Sequence, residues 1–298
     1  MFDGTSTRCP LCASVESRPV RVIPRERIWA GLAKRYKMAP NRSMVARVTP
    51  CEDITLQACD GCGLLFFEPL VPGDHEFYEQ LAASGYHETA RWEFKEVVRR
   101  IQPGERVIDL GCGAGAFLSL LSDIASRRVG VDLAVDRDLA PKDLELFEGT
   151  AREYSLSTSD PFDVITAFHV LEHVADVAEI CGPAQRLLRP GGRFFVSVPD
   201  EERPIKARFD LLDLPPHHVS RWRIPQLERL GAAFGLIIEQ IDRVPRVFTR
   251  WSDTFPRPLA WTMAVLYHGV RGGHVDIRKL FSDEHGDGIL VEYRKPGP

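Results

Sequence analysis

The residues best equipped for chemistry lie at 107–118, VIDLGCGAGAFL, where Gly111, Gly113 and Gly115 alternate with other residues and Ala116 follows. Glycine at every second position lets the backbone turn sharply and brings main-chain amides at a helix start close to a ligand. The spacing satisfies both the dinucleotide fingerprint G-x-G-x-x-G/A and the looser G-x-G-x-G of S-adenosylmethionine (SAM) sites. Asp109 separates the two. Its carboxylate, two residues ahead of the first glycine, would repel a pyrophosphate and attract the ammonium and sulfonium of SAM. Asp132, at the end of the next strand-like run, is placed to accept hydrogen bonds from ribose hydroxyls in either cofactor class.

A second constellation is made of cysteine. C-P-L-C at 9–12 and C-D-G-C-G at 59–63 have the spacing of two zinc knuckles. Together Cys9, Cys12, Cys59 and Cys62 supply four thiolates for a tetrahedral structural Zn2+. The seven cysteines are odd in number, and paired C-x-x-C motifs suit metal binding in a reducing compartment better than a disulfide framework. Cys112 and Cys181 read as packed thiols. Histidine supplies a third candidate: His169, just beyond a strand, projects toward the ligand edge as a candidate general base, and Glu172 and His173 follow closely in the same role or equally fix the loop by hydrogen bonding.

These groups need a scaffold. A chain of 298 residues, 44% hydrophobic and 27% charged, buries one large core and carries a small appendage, so one to two domains are expected. MFDGTSTRCPLC lacks an apolar run behind a basic start, and no stretch reaches the roughly 20 apolar residues of a spanning helix, so a cytoplasmic protein without stable membrane insertion is expected. The net charge of −4 conceals a segregation: residues 1–50 hold ten Lys/Arg against three Asp/Glu, and residues 51–100 hold four against ten. A basic first segment suits a phosphate-bearing acceptor or nucleic acid. It suits equally a solvated face balanced by its acidic neighbour.

Residues 1–75 read as a zinc-ribbon-like module with a helical insertion, in which Ile28, Trp29, Leu32 and Tyr36 share one face. Pro69 and Pro72 punctuate the boundary to a second domain over 76–298. There a helical stretch near 88–101 leads into strand, glycine turn and the helical pattern AFLSLLSDIA. Strand-like runs follow at 128–132, 144–149, 162–168, 193–199 and 236–241, with helices near 176–188 and 225–234. This alternation predicts a doubly wound, mainly parallel α/β sheet, Rossmann-like. ILVEYRK at 289–295, with no helix before it, is expected to add antiparallel. The 244–288 insertion carries PLAWTMAVLYHGV, a candidate lid or core helix.

VIDLGCGAGAFL, GVDLA, FDVITAFHVLEHVAD and LRPGGRFFVSVPD resemble successive motifs of class I SAM-dependent methyltransferases, over roughly residues 100–243. The resemblance implies a seven-stranded sheet with a reversed last strand. It implies that Asp109 and the three glycines meet the methionyl part of SAM, that Asp132 meets its ribose, that Thr150 and Ala151 border the adenine, and that Phe168 lines the cofactor. Gly149-Thr150-Ala151 departs from the acid often found after that glycine, where backbone groups or Arg152 and Glu153 would substitute. With its paired cysteines the chain is similar to a branch bearing an amino-terminal zinc ribbon, which includes enzymes acting on saccharides and secondary metabolites. In that branch an aromatic stretch closes over SAM, pointing here to Tyr78 and Tyr86. P-P-H-H-V-S-R-W, in the long connection 200–224, resembles the segment in which a histidine approaches the active site, making His217 and His218 the first choices for a general base. The expected reaction is O-methylation of a small-molecule or saccharide acceptor. The deoxysugar C-methyltransferases carry a further carboxyl-terminal domain for which this chain is too short. An RNA methyltransferase, a C-methyltransferase and a non-catalytic SAM-binding protein are the alternatives, with nucleic acid disfavoured by the overall acidity.

Overall fold

The computed structural model describes residues 7–84, 91–135, 137–203, 205–206, 210–244, 274–275 and 287–297. In chain order the elements are β1 (Ser17–Pro24), α1 (Arg25–Tyr36), α2 (Arg42–Val48), β2 (Asp53–Cys59), β3 (Leu65–Glu68), α3 (His75–Ala83), α4 (Trp92–Val98), β4 (Arg106–Leu110), α5 (Ala116–Ser119), β5 (Arg127–Asp132) and β6 (Glu145–Glu148). Then come α6 (Ala151–Ser157), β7 (Phe162–Phe168), a 3-10 turn (Leu171–His173), α7 (Ala178–Leu187), β8 (Leu188–Pro199), β9 (Ile205–Lys206), β10 (Ser220–Arg221), α8 (Ile224–Ala233), β11 (Ile237–Val244), β12 (His274–Val275) and β13 (Gly288–Arg294).

Near-continuous apolar runs such as FDVITAF can be buried on both faces only in the middle of a sheet covered by helices on each side. The seven-stranded sheet has the order β11-β13-β8-β7-β4-β5-β6, and β7 lies fourth in it. β4, β5, β6, β7 and β8 run parallel, whereas β13 pairs antiparallel with both β8 and β11. The expected α/β fold with one reversed strand is therefore present. β8 begins at Leu188, five residues ahead of the run read from sequence, because Pro190-Gly191-Gly192 is absorbed as an irregularity in its register against β7. Gly191 adopts a φ of 74° there. The expected helix AFLSLLSDIA shortens to the four residues of α5, continued by turns such as Leu121 N–H to Leu118 O, 3.2 Å, and Ile124 N–H to Leu121 O, 3.1 Å.

The cysteine-bearing segment builds a second sheet, β1-β2-β3-β10, whose last strand comes from the 200–224 connection. Phe67 N–H donates to Val219 O at 2.9 Å and Gly73 N–H to Pro216 O at 2.7 Å. Its core gathers Ile28, Trp29, Leu32, Phe67, Phe77 and Leu214, so α3 and part of the 200–224 connection pack with α1 rather than with the larger sheet. Gln226 Nε2 donates to Cys62 O at 2.8 Å and Val177 N–H to Pro10 O at 3.3 Å, tying the cysteine loops to α8 and α7. The charge segregation is answered locally: Arg47 pairs with Asp74 at 2.8 Å and Glu76 at 2.6 Å, and Arg18 pairs with Asp60. Among the described residues no helix is long and apolar enough to cross a membrane.

Candidate active site and cysteine cluster

The carboxyl ends of β4, β5, β7 and β8 bring the sequence-derived candidates to one edge of the sheet. Gly111, Gly113 and Gly115 have φ of 81°, 53° and 76°, in the left-handed region that L side chains avoid. A Cβ on Gly111 would lie 2.5 Å from Val170 Cγ2, and one on Gly115 2.4 Å from Leu144 Cδ2. A Cβ on Gly113 would meet nothing within 4 Å. Two of the three glycines are thus demanded by packing, and the middle one leaves open the space a ligand would fill.

Asp109, the penultimate residue of β4, is 3% exposed; the Thr166 hydroxyl on β7 donates to its Oδ1 at 2.6 Å. Burial pushes its carboxyl up to about 7, against the opposing effect of the Thr166 bond. A buried acid poised near neutrality is stabilised as the anion when a cation arrives. Asp132 accepts from Gly113 N–H at 2.8 Å and Ala134 N–H at 3.0 Å, so it braces the glycine turn from the neighbouring strand. Burial raises its carboxyl as well. An open left-handed turn flanked by a buried and a half-buried acid fits a cationic sulfur nucleoside.

Other expected cofactor residues take structural positions. Thr150 caps α6: its Oγ1 accepts from Glu153 N–H at 3.1 Å, and its own N–H donates to Glu153 Oε2 at 2.8 Å. This capping box commits Glu153, with Ala151 buried in the first turn. Phe168 ends β7 with its ring 5.0 Å from Phe94 and 4.9 Å from Phe117, joining α4 and α5 beneath the glycine turn. Tyr86 and most of the 244–288 insertion, including PLAWTMAVLYHGV, lie outside the described residues.

Immediately beyond β7 the chain folds into a polar cluster. His169, at φ 55°, is clamped between carboxylates: Nδ1 lies 3.0 Å from Glu172 Oε1 and Nε2 2.9 Å from Glu93 Oε1 on α4. Burial opposes its charge, yet the two acids raise its pKa, and His169 in return holds Glu172 down at about 2 despite burial. With a proton on each nitrogen, His169 has no lone pair to offer as a base. It fastens α4 to the end of β7.

His173 packs against the two histidines of the 200–224 connection. Its Nδ1–H donates to His217 O at 2.6 Å, with the Tyr78 hydroxyl 3.0 Å away. The rings of His217 and His218 stack at 4.6 Å, and His173 lies 4.6 Å from the first and 4.8 Å from the second. Burial, reinforced by the neighbouring imidazoles, brings His173 down to about 4 and His217 well below its usual value. His218 Nδ1 faces Asp213 Oδ1 at 3.4 Å, and Arg203 pairs with the same carboxylate. Those two partners hold Asp213 far below the ordinary carboxylate range despite burial. His218, Asp213 and Arg203 line one cleft with Pro199, at the end of β8, and Trp222. Thus the structure brings His217 and His218 together with His173. Sequence reasoning missed Asp213, Arg203, Glu93 and Thr166; of these only Thr166, a hydroxyl inside an apolar strand, carried a signal.

The four knuckle cysteines also converge. Cys9 and Cys62 Sγ lie 3.5 Å apart, as do Cys12 and Cys59. All four ligand atoms fall within 4.8 Å of one another. Four thiolates around a tetrahedral Zn2+ at ~2.3 Å would stand about 3.8 Å apart, so the set fits that ion after small adjustments. Burial pushes Cys62 up to about 12 and raises Cys9 too, whereas hydrogen bonds from the other knuckle residues outweigh burial at Cys59 and lower it.

Known proteins resemble this chain in sequence and in fold. A family model described as a methyltransferase domain matches residues 77–241. The ubiquinone biosynthesis O-methyltransferase of Aeromonas salmonicida is 30% identical over 158 residues, 47% of this chain and 66% of that protein, just under two thirds of its length. The enzyme of the same description from Thiobacillus denitrificans is 28% identical over 156 residues, 46% of this chain and 67% of that protein. In fold, the chain is similar to a SAM dependent methyltransferase from Archaeoglobus fulgidus, with a TM-score of 0.51, 17% identity, and coverage of 74% of this chain and 100% of that one.

Proposed function

For a chain that belongs to the methyltransferase-domain family, we propose SAM-dependent O-methylation of a small-molecule or saccharide acceptor, with His218 as general base. SAM supplies an electrophilic methyl group on a cationic sulfur. Asp109 and the open turn at Gly113 hold the charged end of that ligand, and Asp132 meets its ribose while bracing the turn.

The observation that carries the reading is the His218–Asp213 pair, 3.4 Å apart, in the cleft at the end of β8. A neutral hydroxyl attacks well only if its proton has somewhere to go. Asp213 takes the Nδ1–H of His218, which leaves Nε2 with the lone pair that accepts this proton, and it stabilises the imidazolium that results. Arg203 fixes the carboxylate from the other side. Methyl transfer itself asks for alignment of the acceptor oxygen with the methyl–sulfur bond at about 3 Å. The relatives described as ubiquinone biosynthesis O-methyltransferases support an oxygen acceptor. The four cysteines are read as a structural Zn2+ site holding the amino-terminal sheet against α7 and α8.

The test is a mass-spectrometric turnover assay with SAM over a panel of hydroxylated sugars and phenols. His218→Ala should lower kcat by roughly 10²-fold or more while S-adenosylhomocysteine binding persists. A product carrying its new methyl on carbon, or full turnover by the variant, would sink the proposal.

A further inference from the structure

We propose that His173, His217 and His218 form a capture site for a divalent transition-metal ion such as Zn2+ or Ni2+, separate from the cysteine cluster, with Glu172 as the compensating charge. The ligand atoms of the three histidines lie within 4.8 Å of one another. They come from two places that the fold brings together, the 3-10 turn after β7 and the connection ahead of β10.

The surrounding bonds set the tautomers. His173 gives its Nδ1–H to the His217 carbonyl at 2.6 Å, and the Asp213 carboxylate stands 3.4 Å from His218 Nδ1. Each ring therefore keeps its lone pair on Nε2, the arrangement by which carbonyl and carboxylate partners prepare imidazoles for a metal. Glu172 is an independent pointer. It is 0% exposed, its Oε1 takes His169, and its Oε2 is buried with no hydrogen-bond partner. After His169, the charges that act on it are those of His173 and His218. His169 is shared between the buried carboxylates of Glu93 and Glu172, so one imidazolium faces two anions and Glu172 keeps an unused oxygen beside three imidazoles, where a further cation would be stabilised.

Imidazole selects Zn2+, Ni2+, Co2+ or Cu2+ over Mg2+ and Ca2+, which demand oxygen. Nitrogens at ~2.05 Å from a tetrahedral ion stand about 3.3 Å apart, so the rings must draw in by at most roughly 1.5 Å. That distance is within the swing of side-chain torsions. Resting on the reading of His218 as base, the same Nε2 cannot hold an ion and accept a proton, so a captured ion blocks turnover.

Chelator-stripped, reduced full-length protein titrated with Co2+ tests the site, because thiolate-bound Co2+ gives intense charge-transfer absorption and imidazole-bound Co2+ only weak ligand-field bands. We expect one thiolate-free equivalent per chain, weakened at least ~10-fold in His173→Gln and in His218→Gln. Binding of S-adenosylhomocysteine by both variants verifies that they fold. Absence of the thiolate-free equivalent, or its survival at full strength in either variant, overturns the site. If that ion binds while SAM turnover is undiminished, the site stands and the assignment of His218 as base fails.

Discussion

On the proposed reading, Asp109 couples cofactor binding to pH, and its burial sets the size of that coupling. Burial holds its carboxyl at about 7. The charged fraction therefore rises from roughly 9% at pH 6 to roughly 91% at pH 8. A ligand whose ammonium is held by the charged form alone gains about tenfold in affinity over that window, or about 1.4 kcal/mol. The sign for folding is the reverse. A carboxyl raised above its ordinary 3.8 makes the folded state the better proton binder, so the stability of the ligand-free protein falls as pH climbs from about 4 through about 7. Asp109→Asn keeps an oxygen for the Thr166 hydroxyl and removes the charge. Calorimetry with S-adenosylhomocysteine at pH 6, 7 and 8 should show affinity climbing in the wild type and flat in Asp109→Asn, at least ~10-fold weaker at pH 8. The ligand-free variant should also be the more stable of the two at pH 8. Affinity that ignores pH in the wild type, or a slope that persists in Asp109→Asn, refutes the electrostatic reading of this acid.

Two further tests use other parts of the site. Gly113→Ala keeps an αL backbone with no clash, so urea titration should show a loss of only ~1–2 kcal/mol while S-adenosylhomocysteine binding collapses; Gly111→Ala adds a 2.5 Å contact with Val170 and should lose roughly 2–5 kcal/mol. Glu93→Gln removes one of the two acids on His169, and thermal melts should show a loss of ~1–3 kcal/mol that is greatest below the raised His169 pKa and shrinks as pH passes above it.

Much of this architecture was legible because period and punctuation are local. FDVITAF gave β7 residue for residue, and ILVEYRK gave a reversed strand because no helix precedes it. The glycine turn announced itself through residue types that only a left-handed backbone needs. The knuckle cysteines were legible through spacing, and their convergence follows from the β2–β3 turn meeting residues 9–12. What escaped depends on contacts between distant segments. β10 is two residues long and exists only because β3 offers it an edge. Asp213 matters through a side-chain approach to His218 that LLDLPPHH does not advertise. Glu172 was legible as a residue that could fix its loop by hydrogen bonding, whereas Glu93 carried no signal, and only packing reveals the imidazole between them. Thr150 and Glu153 carried a capping-box pattern, S/T-x-x-E, which explains their types without a ligand.

The two-residue strand Ser220–Arg221 has an evolutionary and mechanical consequence. It makes the wall that would face the acceptor an edge of the cysteine-bearing sheet, with Phe67 and Val219 as the stitch. Grafting the catalytic half alone onto another protein would strip that wall of its backing. On the proposed reading, a lineage exploring new acceptors must then retune both halves in concert, since slack in the amino-terminal sheet is felt at that wall.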